Sequence, residues 1–270
     1  DLIAYDLWLQ GQTEFIPFEP EGYENATRLY RTLIAQHSHF APAYSSLAQL
    51  QNSVHFIHPG VYRNEAMTQE ALHFASEAAR LDPMDSRSQL CLGWANAMAG
   101  RHDQAGVHHK LAVELNDSDF WTCCSAALGS AFRGEMDDAR ELAARAERLA
   151  LVPTSLYWRY LAMVRYLTDE FSAALAAAAH AETSIPNIFV WKAACLVRMG
   201  KRQTARQAAE RFFTAVKKRW VNPDLPATRE NMTRWFLHAF PIKHREVWGR
   251  LRDDFGLAGA PVENIEFNTW

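Results

Sequence analysis

Apolar side chains return every three to four positions along much of the chain, with polar residues on the intervening faces. This spacing predicts amphipathic helices, and the breaks between them are short and often hold a glycine, the mark of a helix-turn-helix. The clearest pair is predicted over 86–99 and 103–114. Ala105 and Ala112 lie two turns apart on one face of the second helix, and Leu92-Gly93 stands in the first where its partner must approach.

The pattern repeats. Ala71, Ala105, Ala139 and Ala173 stand 34 residues apart, and Ala78, Ala112 and Ala146 keep the same period. Gly100 and Gly134 each precede a member of the first series by five residues, and Gly200 bears the same relation to Ala205. A fixed period of this length is the signature of a stacked repeat array. Five units are expected. The first has helices over 43–52 and 67–81, parted by an insertion containing His55, His58, Pro59 and Gly60; the others cover 86–115, 119–149, 155–182 and 187–212. The step from Ala173 to Ala205 shortens the fifth unit, and His180 stands where an alanine is expected.

The period, Leu92-Gly93, Ala105, Ala112, and prolines near unit boundaries at Pro83 and Pro153 resemble the tetratricopeptide repeat. The resemblance implies an all-α, right-handed superhelical solenoid: a helical pair over 1–40, repeats over 41–212, and a helical cap and tail over 213–270. The segments Ala4 to Gly11, Ala26 to Leu33, Phe40 to Tyr44 and Gly256 to Pro261 look like the ends of such a region in bacterial signalling proteins. There the repeats follow a class III adenylate cyclase domain or an OmpR-type winged-helix domain. The first residue, Asp1, is not a methionine, which suggests an excised or processed piece of a longer protein.

In such a superhelix the first helices line a concave groove. Carrying over the inward positions gives Gln49 and Asn52, then Leu90, Trp94 and Met98, then Trp121, Cys124, Leu128 and Phe132, then Trp158, Arg165 and Tyr166, then Val190 and Arg198. The expected site is Trp94, Met98, Trp121, Phe132, Trp158 and Tyr166 as apolar anchors with Arg165 and Arg198 as polar selectors. Such a strip suits an extended peptide or an amphipathic helix. The aromatic segment 229–253 offers a competing occupant, because terminal repeats need a cap. A homodimer that buries the strip and a small-molecule-sensing domain are the alternatives.

Composition adds to this picture. Alanine, the best helix former, occurs 42 times against 20 for valine and isoleucine together. A net charge of −3 provides no global field for nucleic acid or an anionic membrane. The longest apolar run, Ala173 to Ala179, falls short of a membrane span. Four cysteines (Cys91, Cys123, Cys124, Cys195) fit a reducing cytoplasm better than a disulfide framework.

Chemistry is sparse. No glycine-rich phosphate loop, Gly-x-Ser-x-Gly elbow or His-Glu-x-x-His occurs. No catalytic residue, metal or cofactor is expected, and the partner is a protein or peptide. His102, His108 and His109 surround one helix and diverge rather than converge on a metal. His55 and His58 could act in a loop or merely precede a turn. Asp137-Asp138 and Asp253-Asp254 read as helix starts or surface turns, with capping and dipole stabilisation accounting for the first pair. A basic run, Arg198, Lys201, Arg202, Arg206, Arg211, Lys217, Lys218 and Arg219 against the single acid Glu210, reads as a solvated helix face.

Overall fold

A computed structural model describes residues 2–181 and 185–267. The described residues form fourteen α-helices and no strand. In chain order they are α1 (Leu2–Phe15), α2 (Pro20–Gln36), α3 (Ala41–Ile57), α4 (Glu65–Leu81), α5 (Ser86–Met98), α6 (His102–Leu115) and α7 (Phe120–Arg133). There follow α8 (Met136–Leu149), α9 (Ser155–Leu167), α10 (Phe171–His180), α11 (Ile188–Arg198), α12 (Arg202–Lys218), α13 (Arg229–Leu237) and α14 (Arg245–Leu257). The expected pairs all form. α3 runs longer than its forecast and takes in His55, so the insertion shrinks to the segment after Ile57. Glu182, the forecast end of the fourth unit, lies outside the described residues.

The turn within a repeat is built the same way four times. The backbone N–H groups of Arg101, Glu135, Glu170 and Lys201 reach back to the carbonyls of Asn96, Ser130, Arg165 and Leu196 at 2.8, 3.0, 2.8 and 2.8 Å. Inside each, Gly100, Gly134, Asp169 and Gly200 donate to Ala97, Ala131, Tyr166 and Val197. This double bond is a Schellman closure, which requires a left-handed residue at the turn. Gly100, Gly134 and Gly200 supply it with φ of 73°, 88° and 74°, and Asp169 adopts φ 66° without a glycine's freedom. Carboxylates and hydroxyls start the next helix: Asp85 accepts from the N–H of Arg87 and Ser88, Asp119 from Trp121 and Thr122, and Thr154 from Tyr157.

Asp169 corrects the register of the fourth unit. The left-handed turns step by 34, 35 and 31 residues, not by 34 throughout. The buried alanine after Asp169 is accordingly Ala174, whereas Ala173 is exposed; the later alanine of the pair is the buried Ala181, which removes the anomaly at His180. One residue of phase turns a helix face by about 100°.

Small residues let the helices of a pair approach. Ala105, Ala112, Ala139, Ala146, Ala174 and Ala205 are fully buried. At Gly93 a Cβ would sit 2.2 Å from the His109 ring, so the buried imidazole of α6 fills the space a side chain on α5 would take.

The chain separates into two compact units. The first holds the described residues up to His58 together with Arg63–Asn116, with Tyr30, Leu33, Leu47, Leu50 and Ala75 in its core. The second holds Pro59–Tyr62 and the described residues from Asp117 on. Its core is aromatic: Phe212 and Phe236 lie 5.5 and 5.6 Å from Phe255, and Trp191 lies 5.4 Å from Phe240. Pro59–Tyr62, the centre of the insertion, is fastened within this second unit. Val221 N donates to Pro59 O at 2.9 Å, Asn222 Nδ2 to Gly60 O at 2.8 Å, and Tyr62 Oη to Asn231 O at 2.9 Å.

Candidate interaction surface

In the second unit one face of α7, α9 and α11 carries the chain's own C-terminal segment. Phe240 packs on Phe132 of α7 at 5.8 Å and on Trp191 of α11. Lys243 N donates to Phe132 O at 2.8 Å and His244 Nε2 to Arg133 O at 2.9 Å; the His244 ring lies where a Cβ on Gly134 would be. From α14, Asp254 enters with almost no exposure. Its Oδ2 accepts from Tyr166 Oη at 2.6 Å and from Arg198 Nε at 2.7 Å. Burial and the Asp254 charge push the Tyr166 hydroxyl pKa well above its ordinary value, and the Asp254 hydrogen bond holds the Arg198 guanidinium charged. Asp254 is therefore a buried anchor rather than part of a surface turn.

The forecast anchors divide accordingly. Phe132, Tyr166 and Arg198 meet the C-terminal segment, and Met98 is buried in the first unit. Trp158 stacks on His180 of its own repeat at 4.7 Å and 30°. Arg165 is spent on carboxylates: it forms two 2.7 Å bonds to Glu170 and also pairs with Glu147. Despite burial, which alone would raise it, the Arg165 and Thr168 hydrogen bonds lower the Glu170 pKa. Three of the forecast aromatics are only part-buried: Trp94, edge-on to His109 at 5.2 Å in the first unit, and in the second Trp158 and Trp121, the latter 4.9 Å from Tyr160. Trp121 and Phe132 lie about three turns apart on the same stripe of α7. One end of that stripe is covered by the C-terminal segment and the other is part-exposed.

The remaining polar groups are structural. All four cysteines are free and buried, and burial raises the thiol pKa values of Cys91 to about 11 and Cys195 to about 12, so none is a poised nucleophile. His109 fills the Gly93 gap, and His108 Nδ1 contacts Gln89 Oε1 at 2.9 Å. Among the described residues no three His, Cys, Asp or Glu side chains converge as metal ligands, and no helix is long and apolar enough to cross a membrane. Lys201 just before α12, and Arg202, Arg206, Arg211, Lys217 and Lys218 on it, are exposed, while the one acid of the helix, Glu210, is held by Arg229 at 2.7 Å.

Set beside solved structures, this helical array has relatives. It is similar to a chain of the APC/C hetero-tetramer Cut9–Hcn1 (15% identity, TM-score 0.58, covering 78% of this chain and 43% of that one). It is likewise similar to a tetratricopeptide repeat protein from Parabacteroides merdae ATCC 43184 (12% identity, TM-score 0.55, covering 88% and 85%). The fold is a tetratricopeptide-repeat solenoid. The chain is also similar to PilF of Pseudomonas aeruginosa (15% identity, TM-score 0.50, covering 78% and 91%). The chain spans less than half the length of the Cut9–Hcn1 chain it matches. No family model and no curated protein matches the sequence. At these identities the TPR likeness is one of fold.

Proposed function

We propose that the chain is a non-catalytic interaction module that holds a peptide or an amphipathic helix of a protein partner through aromatic side chains on the first helices of its repeats. The observation that carries this reading is the α7 stripe, where Phe132 already receives a segment of the chain itself while Trp121, packed on Tyr160, stays part-exposed. A surface that accepts Phe240 and α14 in this way is suited to apolar anchors from another chain. Trp94 offers a second anchor in the first unit. Phe132 and Tyr166 need no second copy of the chain to bury them, so this reading does without a homodimer.

Four free, buried thiols suit a reducing cytoplasm. The resemblance of the end segments supports a setting in a bacterial signalling protein, after a cyclase-type or winged-helix domain. The sequence of the intact gene product tests that context. Selection of a random peptide library on the folded protein tests recognition itself: the proposal expects sequences sharing spaced apolar anchors, and their depletion on Trp121→Ala. Recovery of the same sequences by that folded variant would count against it.

A further inference from the structure

Terminal helices of a stacked array need a polar outer face, because no neighbouring repeat covers them. α1 breaks that rule. Its inner side packs Ala4, Leu7 and Trp8 against Leu33 of α2 and Ala43 of α3. Along its outer side Leu2, Tyr5 and Leu9 are spaced by three and four residues, and Ile16, just past the helix end, continues the line seven residues on. These four side chains are between 42% and 83% exposed. At roughly 200 Å² for a large side chain they present about 500 Å² of apolar surface, as much as the largest patch on a typical monomer.

The rim of this seam is acidic. The first 27 residues hold six acids and no lysine or arginine. A Cβ on Gly22 would sit 2.2 Å from the Glu14 carbonyl oxygen, and Asn25 Nδ2 donates to Glu14 Oε2 at 3.0 Å. The bare backbone at Gly22 thus lets the start of α2 close on the end of α1 and brings the exposed Glu21 and Glu24 beside Glu14, while Asp6 flanks the seam nearer the start of α1. Among the described residues no cation pairs with any of these four. The opposite chemistry stands on α12 of the second unit. Arg202, Arg206, Lys217 and Lys218 are exposed there without a carboxylate partner among the described residues, and the helix's own acid, Glu210, is held by Arg229. Just past the lysines, Val221 and Leu225 are exposed apolar side chains.

We infer that α1 docks on α12 of a second copy of this chain, with the seam of Leu2, Tyr5, Leu9 and Ile16 against Val221, Leu225 and the lysine stems, and the acidic rim against the cations. Charge decides between the arrangements open to the seam. Two α1 seams face to face would set Asp6, Glu14, Glu21 and Glu24 against their own copies, a like-charge contact that opposes association. α12 has the opposite sign, and no other segment of the chain concentrates cations as 198–219 does, with eight against one acid. Long basic side chains cover apolar surface with their stems while their heads meet carboxylates. The contact is head-to-tail: each copy uses one face and keeps the other, so association runs on into chains or rings rather than closing as a two-fold dimer. It uses neither Trp121 nor Phe132, so it does not depend on the reading of the α7 stripe.

The test is sedimentation velocity of the full chain at concentrations from micromolar to submillimolar. The sedimentation coefficient should climb with concentration, and the association constant should fall about tenfold or more between about 0.05 and 0.5 M salt as the charges are screened. Two variants, each shown to be folded, separate the faces: Asp6→Lys with Glu21→Lys and Glu24→Lys, and Arg202→Glu with Arg206→Glu and Lys217→Glu. Each should stay monomeric alone, and their equimolar mixture should associate, because every face then meets its opposite. Leu9→Ser should weaken association about fivefold or more while leaving its salt dependence in place. A native protein that stays monomeric at low salt, or associates without regard to salt, would overturn the proposal without recourse to any variant. So would a mixture no more associated than its parts, and so would association that survives reversal of the α12 charges, which is the behaviour of α1 paired with α1.

Discussion

Replacing Asp254 tests how firmly the C-terminal segment is held. Its carboxylate has 1% exposure and binds Tyr166 and Arg198 through one oxygen. In Asp254→Ala the Tyr166 hydroxyl is left buried without its acceptor, at a cost of about 1–3 kcal/mol. The Arg198 side chain is 35% exposed and can turn to water, so its loss adds no more than about 1 kcal/mol. The expected destabilisation is therefore about 1–4 kcal/mol. Adding Tyr166→Phe removes the orphaned hydroxyl and should return about 1–2 kcal/mol, a non-additivity that a double-mutant cycle reads directly. Urea unfolding followed by circular dichroism and tryptophan fluorescence provides the midpoints, to be compared at equal slope. A loss below about 0.5 kcal/mol, or a further loss on adding Tyr166→Phe, would refute the assignment of Asp254 as the anchor.

Other positions carry equally definite expectations. Gly93→Ala drives a methyl into the buried His109 ring and should cost about 1–3 kcal/mol in thermal or urea unfolding, less when His109 is trimmed to alanine in the same chain. Asp169→Ala keeps the left-handed strain at φ 66° and loses the Arg250 pair, so it should cost about 1 kcal/mol, whereas Asp169→Gly should stay within about 0.5 kcal/mol of the native protein. Burial lowers the pKa of His238 and of His108 below 6.5 in the folded protein. The unfolded chain then binds more protons as pH falls below about 6.5, so this stability is full above that pH and is lost toward the depressed folded values. Unfolding free energy measured from pH 7.5 to 5 should decline accordingly, with a shallower slope in His238→Gln.

The repeats were legible because their determinants are local. Gly100, Gly134 and Gly200 mark left-handed turns in the residue type itself, and the alanines report where helices touch. Asp169 hid the fourth turn. An aspartate at φ 66° looks like any loop residue, and its tolerance comes from contacts made elsewhere, including the ion pair to Arg250 on α14. That one-residue slip put the forecast contact alanine at the exposed Ala173 rather than the buried Ala174. Asp254 escaped notice because its partners Tyr166 and Arg198 lie 88 and 56 residues away, and an adjacent acid pair gives no sign of burial. The insertion was open for the same reason: Tyr62 meets Asn231 across 169 residues.

The most direct test of the interaction surface is the affinity of a library-selected peptide for the native protein and for Trp121→Ala, measured by calorimetry with both proteins shown to melt alike. Loss of the part-exposed indole should weaken binding by about 2 kcal/mol, roughly thirtyfold. An unchanged dissociation constant would contradict recognition at the α7 stripe.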